Sequence, residues 1–140
     1  DEIPMKFPSA AEQMKDDLSI WTWFREVIRV RNAFPAIARG LTESVDSLSD
    51  SNVAAFIRRS RESGTANSAS DGDLLIVMNL RADTAVKEIS GEASAAGGAD
   101  GSADNNLTLA AVLNTGEENI TYDDGVLTLP GYSIAVFTMD

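Results

Sequence analysis

Enzyme chemistry needs side chains that move protons, attack as nucleophiles or hold metals, and this chain is sparing with them. It has no histidine and no cysteine. That removes the commonest general base and zinc ligand, along with thiolate nucleophiles and disulfides. Carboxylates remain. Asp123 and Asp124 are adjacent, but Gly125 follows them between two alternating apolar runs, which is the composition of a hairpin turn. Asp71-Gly72-Asp73 reads the same way. Asp100-Gly101-Ser102-Ala103-Asp104-Asn105 has the residue types of a calcium loop without the Asp-x-Asp-x-Asp-Gly order or the closing Glu, so it reads as linker. The expectation is therefore no catalytic, cofactor-binding or metal-ligating residue, and no cofactor in this chain.

Binding chemistry is the next possibility. Trp21 and Trp23 could stack on sugar rings, but their i, i+2 spacing on a helix puts them on different faces, which favours packing. Tyr122 and Tyr132 lie in or beside the last hairpin, where sheet packing with a wet hydroxyl competes with presentation to a glucan. Arg58, Arg59 and Arg61 form a short basic cluster that reads as a solvated strand end or as partners for local acids. Asn106-Leu107-Thr108 and Asn119-Ile120-Thr121 match the glycosylation acceptor pattern, which means little if the source is bacterial. The net charge of −11 disfavours nucleic acid and anionic membranes. No apolar run approaches the roughly 20 residues of a membrane span.

The elements that must position these residues fall into two periods. At 140 residues the chain fits one domain, or one domain plus a piece of another. The acidic, proline-punctuated start, DEIPMKFPSAAEQM, is not a signal peptide and reads as the interior of a longer protein. Ser9-Ala10-Ala11-Glu12 has the spacing of a capping box, predicting a helical turn or two to about Met14. The stretch Asp17 to Gly40 is the one convincing long helix, with Asp16, Asp17 or Ser19 as its cap. Pro35 disfavours helical geometry at Phe34, so the helix should end near Ala33, with Pro35–Arg39 a short bridge. The helix is apolar over a broad arc. Ile20, Phe24, Val27 and Ile28 form one row, and Trp23, Val27, Val30 and Phe34 form a second, so partners are needed on more than one side.

After Gly40 the period becomes two. Strands are predicted at 41–45, 52–59, 74–80, 84–89, 107–113, 119–122, 126–129 and 132–139. The run Leu74 to Met78 is apolar on both faces and hence central. Residues 62–72 read as a polar loop. Residues 90–106, nearly free of large side chains, read as a mobile loop. About seven or eight short strands with regular turns imply a mainly β fold: an antiparallel β-sandwich or Greek-key domain preceded by one long amphipathic helix.

Certain of these residues resemble a known family. Ser19-Ile20-Trp21, Val27-Ile28-Arg29-Val30-Arg31-Asn32, Phe34-Pro35-Ala36-Ile37 and Arg39-Gly40 are similar to the junction at the C-terminal end of the α-amylase-type enzymes of glycoside hydrolase family 13. There the last helix of a (β/α)8 barrel leads into an all-β domain C. Val53-Ala54-Ala55-Phe56, Leu74 to Leu80, ending near Asn79, and Leu127 to Val136 resemble strands of that domain. The resemblance implies that residues 1–39 are the end of the catalytic barrel and 40–140 are domain C, with the flexible loop near 90–106. It implies a parent that hydrolyses α-1,4-glucosidic bonds in starch-like glucans through two carboxylates, all upstream of residue 1. The chain alone should therefore be inactive. The partner implied is the missing barrel, met through Trp23, Val30 and Phe34, with self-association of the isolated chain as a further expectation. Weak glucan binding and an extracellular bacterial location are also implied.

Three function classes follow: a structural accessory domain of an α-amylase-type hydrolase, a starch-binding module, and an unrelated Ig-like interaction domain. A long tryptophan- and arginine-bearing helix at the start favours the first.

Overall fold

The structure is a computed structural model and describes residues 6–60, 72–89 and 107–139. The loops expected at 90–106 and over most of 62–72 lie outside the described residues. So do Asp71, Arg61, the calcium-like run 100–105 and the acceptor Asn106.

Helices come first, and their ends follow local chemistry. Helix α1 (Ala10–Gln13) starts at a full capping box: the Ser9 hydroxyl accepts from the Glu12 amide, and the Glu12 carboxylate accepts from the Ser9 amide at 2.8 Å. The Ser9 hydroxyl, which donates to the Glu12 carboxylate at 2.7 Å, and after it the Ser9 amide, lower the Glu12 pKa. Helix α2 (Ile20–Ala33) is capped by Ser19, whose hydroxyl accepts from the Thr22 amide. It stops where Pro35 forces Phe34 into extended geometry. The bridge after it is itself helical: Pro35 ends one helix and occupies the first turn of the next, α3 (Pro35–Arg39).

Eight strands follow: β1 (Leu41–Ser44), β2 (Val53–Arg59), β3 (Leu74–Asn79), β4 (Ala85–Glu88), β5 (Leu107–Leu113), β6 (Thr121–Asp123), β7 (Val126–Leu129) and β8 (Ile134–Met139). They form a five-stranded sheet in the order β1-β2-β3-β8-β5 and a three-stranded sheet in the order β4-β7-β6, with every described pairing antiparallel. The β5–β8 register shifts between Leu109 and Ala111, where a bulge adds a residue.

The centre of the five-stranded sheet is buried on both faces, which explains the unbroken apolar run of β3. One face of β3 sends Leu75 and Val77 into a core shared with the small sheet, together with Val53, Ile57, Leu127, Leu129 and Phe137. The other sends Leu74 and Ile76 against the helices, with Val30, Ala36, Leu113 and Val136. The molecule has three layers: helices, large sheet, small sheet. Each fully buried aliphatic side chain contributes about 1.5–3 kcal/mol on transfer scales, an upper bound before chain entropy is subtracted.

Candidate functional site: the uncovered face of the long helix

Helix α2 has two apolar faces with different fates. Val30 is only 3% exposed, and Val27 and Phe34 pack beside it over the large sheet. Ile20, Phe24 and Ile28, by contrast, are 71%, 56% and 55% exposed. On a 3.6-residue helix the two rows point about 100° apart, so a flat sheet cannot cover both. This corrects the expectation for Val30 and Phe34, two of the three residues, Trp23 being the third, that the resemblance implied would meet the missing partner. Val30 and Phe34 belong to the sheet-facing row, and the bare row is Ile20, Phe24 and Ile28. The physical reason lies at the helix end. Residues next to the reversal at Phe34-Pro35 must face the side to which the chain turns, and α3 turns onto β2.

Hydrogen bonds tie this helix to the rest of the fold at both ends. At the N-terminal end, the Ser19 hydroxyl donates to the Gln13 carbonyl at 2.6 Å, and the Thr22 hydroxyl donates to the Asp16 carbonyl at 2.9 Å. These bonds fold α1 back onto α2. At the other end, Arg58 on β2 donates from Nε to the Ala36 carbonyl at 3.1 Å and from Nη2 to the Ile37 carbonyl at 2.9 Å. A cation on those carbonyls also suits the dipole of α3. Arg58 further contacts the Thr42 hydroxyl of β1. Arg59 instead bridges Asp73 at 2.8 Å and Glu43 at 2.9 Å, which raises its pKa. The expected basic cluster thus splits into a helix latch and an ion-pair bridge.

Next to the bare row is a cleft of about 420 Å³ between the start of α2 and the end of β5. Ile20, Trp23 and Phe24 line one side and Val112, Asn114 and Thr115 the other. The Trp23 and Phe24 rings meet edge to face, with centroids 5.6 Å apart. Trp23 Nε1 is buried without an acceptor among the described residues. Trp21 lies on another face with the Arg25 guanidinium 4.9 Å from its ring centroid, so the two tryptophans do not form one platform.

The other residues singled out from the sequence are dispersed. Tyr122 faces inward, its ring edge-to-face with Phe137 at 4.9 Å. Tyr132 is exposed, with φ of 53°, and its amide donates to the Arg81 carbonyl at 2.9 Å. Asp123 ends β6, and Asp124 and Gly125 take positive φ values of 47° and 77°, as the tight β6–β7 hairpin needs. Asn119 is exposed on the loop before β6. Asp73 serves the ends of β2 and β3: its carboxylate accepts from Arg59 and from the Ser60 amide. Among the described residues no three carboxylates gather as a metal site would need, and no helix is long and apolar enough to cross a membrane.

Sequence reasoning missed Asn79. Its side chain is buried at the end of β3. Its amide nitrogen donates to the carbonyls of Asp83, Leu129 and Pro130 at 2.7, 3.1 and 3.1 Å, and its oxygen accepts from the Arg81 amide at 3.0 Å. It ties the two sheets together.

No family model matches the chain, and no curated protein matches it significantly. Solved structures do. Amy13B of Eubacterium rectale matches 100% of this chain at 28% identity with a TM-score of 0.75, over 23% of its own length. An α-amylase from H. orenii matches 96% at 22% identity and 0.65, over 23% of its length. Trehalulose synthase MutB from Pseudomonas mesoacidophila MX-45 matches 94% at 18% identity and 0.60, over 20% of its length. The two more distant likenesses speak to the fold alone. The chain spans about a fifth of the proteins it matches. Read with the junction motif from Ser19 to Gly40, this whole-chain match to a small part of each enzyme is consistent with a C-terminal region of a glycoside hydrolase family 13 α-amylase-type enzyme.

Proposed function

We propose that this chain is the non-catalytic C-terminal structural part of an α-amylase-like α-glucan hydrolase, covering and stabilising a catalytic barrel outside the 140 residues. The observation that carries this reading is the bare row Ile20, Phe24 and Ile28, on a helix whose other face is already docked. A half-covered amphipathic helix next to an apolar cleft is the surface a second body would complete. Covering the row would contribute about 3–6 kcal/mol on transfer scales, enough to matter beside a typical domain stability.

The parent activity that accompanies this reading is hydrolysis of α-1,4-glucosidic bonds in an exported bacterial enzyme. In that chemistry one carboxylate attacks the anomeric carbon and a second protonates the leaving oxygen. Neither role is assigned to a residue of this chain. The test is direct. The purified chain, assayed on soluble starch, should release no reducing sugar, and its mobility in a starch-containing native gel should be unchanged. Release of sugar would overturn the non-catalytic role. Retardation in the gel would move the reading to a starch-binding module, with exposed Tyr132 the first aromatic to substitute.

A further inference from the structure

Tyr132 stands in a backbone conformation that its side chain does not favour. Its φ is 53°, in the left-handed region, where a Cβ crowds the following carbonyl oxygen. The surroundings impose that geometry. The Tyr132 amide donates to the Arg81 carbonyl at 2.9 Å, and the Tyr132 carbonyl accepts from the Thr115 hydroxyl at 3.2 Å. On either side, the buried Ser133 hydroxyl donates to the Pro130 carbonyl at 2.6 Å, and a Cβ at Gly131 would lie 2.2 Å from the Ala82 carbonyl oxygen. Glycine would suit position 132 better. Burial of the tyrosine ring does not offset the strain within this chain, because Tyr132 is exposed. Such an outlier, firmly held and bare, is a candidate contact residue.

Its position says what the contact is. Met78 and Ile134 are partners in the β3–β8 register, and both pack against the helix-side core. Two residues further along that register stand Leu80 and Tyr132, both exposed. Thr115, which binds the Tyr132 carbonyl, also lines the cleft beside Ile20 and Phe24. The exposed surface therefore runs from the bare row of α2, across the cleft, to Leu80 and Tyr132. The cleft itself is incomplete: Trp23 Nε1 is buried there with no acceptor among the described residues. We infer that the body docking on Ile20, Phe24 and Ile28 also reaches the turn between β7 and β8, with Leu80 and Tyr132 as its second contact. This rests on the docking role proposed above. The occupant is the same upstream part of the protein, because the surface is continuous and because the match to Amy13B leaves most of that enzyme's length outside it.

The experiment is urea unfolding of the 140-residue chain and of the polypeptide extended upstream by its own gene, with circular dichroism to verify that each variant folds. In the short chain Tyr132→Gly should leave the midpoint unchanged or raise it, since glycine takes a φ of 53° without strain. In the extended protein the same substitution should lower the midpoint by about 0.3 M or more, and Tyr132→Phe, which keeps the ring, should hold it to within about 0.1 M. Leu80→Ser should likewise be costly only in the extended protein. A loss with Tyr132→Gly in the short chain overturns the inference, because the ring would then be packing within this chain. So does a Tyr132→Gly without effect in the extended protein. In that case Phe24→Ser separates the two readings. If it is costly there, the docking role stands and only its reach to Tyr132 fails; if it is harmless, the docking role fails too. Retardation in a starch gel that Tyr132→Gly abolishes would give the ring to glucan, and also overturns the inference.

Discussion

Phe24 and Val30 sit six residues apart on one helix and have opposite surroundings: Val30 is 3% exposed within the helix–sheet core, and Phe24 is 56% exposed beside an open cleft. Six residues rotate a helix by about 240°, so the two side chains diverge by about 120°. One face of the helix is therefore covered within this chain and the other is left bare.

Asn79 should be the most costly polar position to replace. It satisfies three carbonyls from two segments at the end of the large sheet, two of them leaving β7. Asn79→Leu keeps the volume and removes the side-chain donor from all three, although the Pro130 carbonyl keeps the Ser133 hydroxyl at 2.6 Å. The expected loss is about 2–4 kcal/mol in urea unfolding, because stranded buried acceptors cost more than a hydrogen bond contributes. A loss under about 0.5 kcal/mol would show that Asn79 does not tie the sheets.

Gly40 is needed for space. A Cβ there would lie 2.5 Å from the Ala36 carbonyl oxygen and 2.6 Å from that of Arg59, both backbone atoms. Gly40→Ala must push α3 away from β2 and loosen the Arg58 latch, at an expected cost of about 1–3 kcal/mol. Gly116→Ala, with nothing within 4 Å, is the control and should change stability by no more than about 0.5 kcal/mol. Equal effects at the two glycines would contradict the close approach.

Acid should remove one contact between the β1–β2 loop and the small sheet. Lys87 Nζ lies 2.6 Å from Asp50 Oδ2, and the Asn52 and Val53 amides donate to Asp50 Oδ1. The Lys87 hydrogen bond first, then the amides, lower the Asp50 pKa to about 2. A depressed carboxylate stabilises the fold above its unfolded pKa, and that contribution fades as pH falls through the folded value. The stability gap between the native chain and Lys87→Met should therefore be constant above about pH 4 and close towards about pH 2. Urea midpoints across that range test it, and a gap that does not change would contradict the pairing.

Much of this was legible in the sequence because local rules agreed with the global fold. Phe34-Pro35 ended α2 at Ala33, the Ser9–Glu12 spacing made a capping box, and the unbroken run of β3 announced a strand buried on both faces. Asp124-Gly125 gave the last hairpin its turn. What stayed hidden depended on tertiary direction. Both apolar rows of α2 were visible, yet which of them met the sheet depended on where α3 docked, 22 residues from its latch at Arg58. Asn79 looked like the end of a strand because its partners lie 50 and 51 residues away.

The measurement that bears most directly on the two-faced helix compares Phe24→Ser and Val30→Ser by urea unfolding. It is done in the 140-residue chain at monomeric dilution and again in the polypeptide extended upstream by its own gene. In the short chain Val30→Ser should cost about 2–4 kcal/mol and Phe24→Ser no more than about 0.5. In the extended protein Phe24→Ser should become costly as well. If Phe24→Ser were costly in the short chain, or harmless in the extended one, the face would not be a docking surface for a missing barrel.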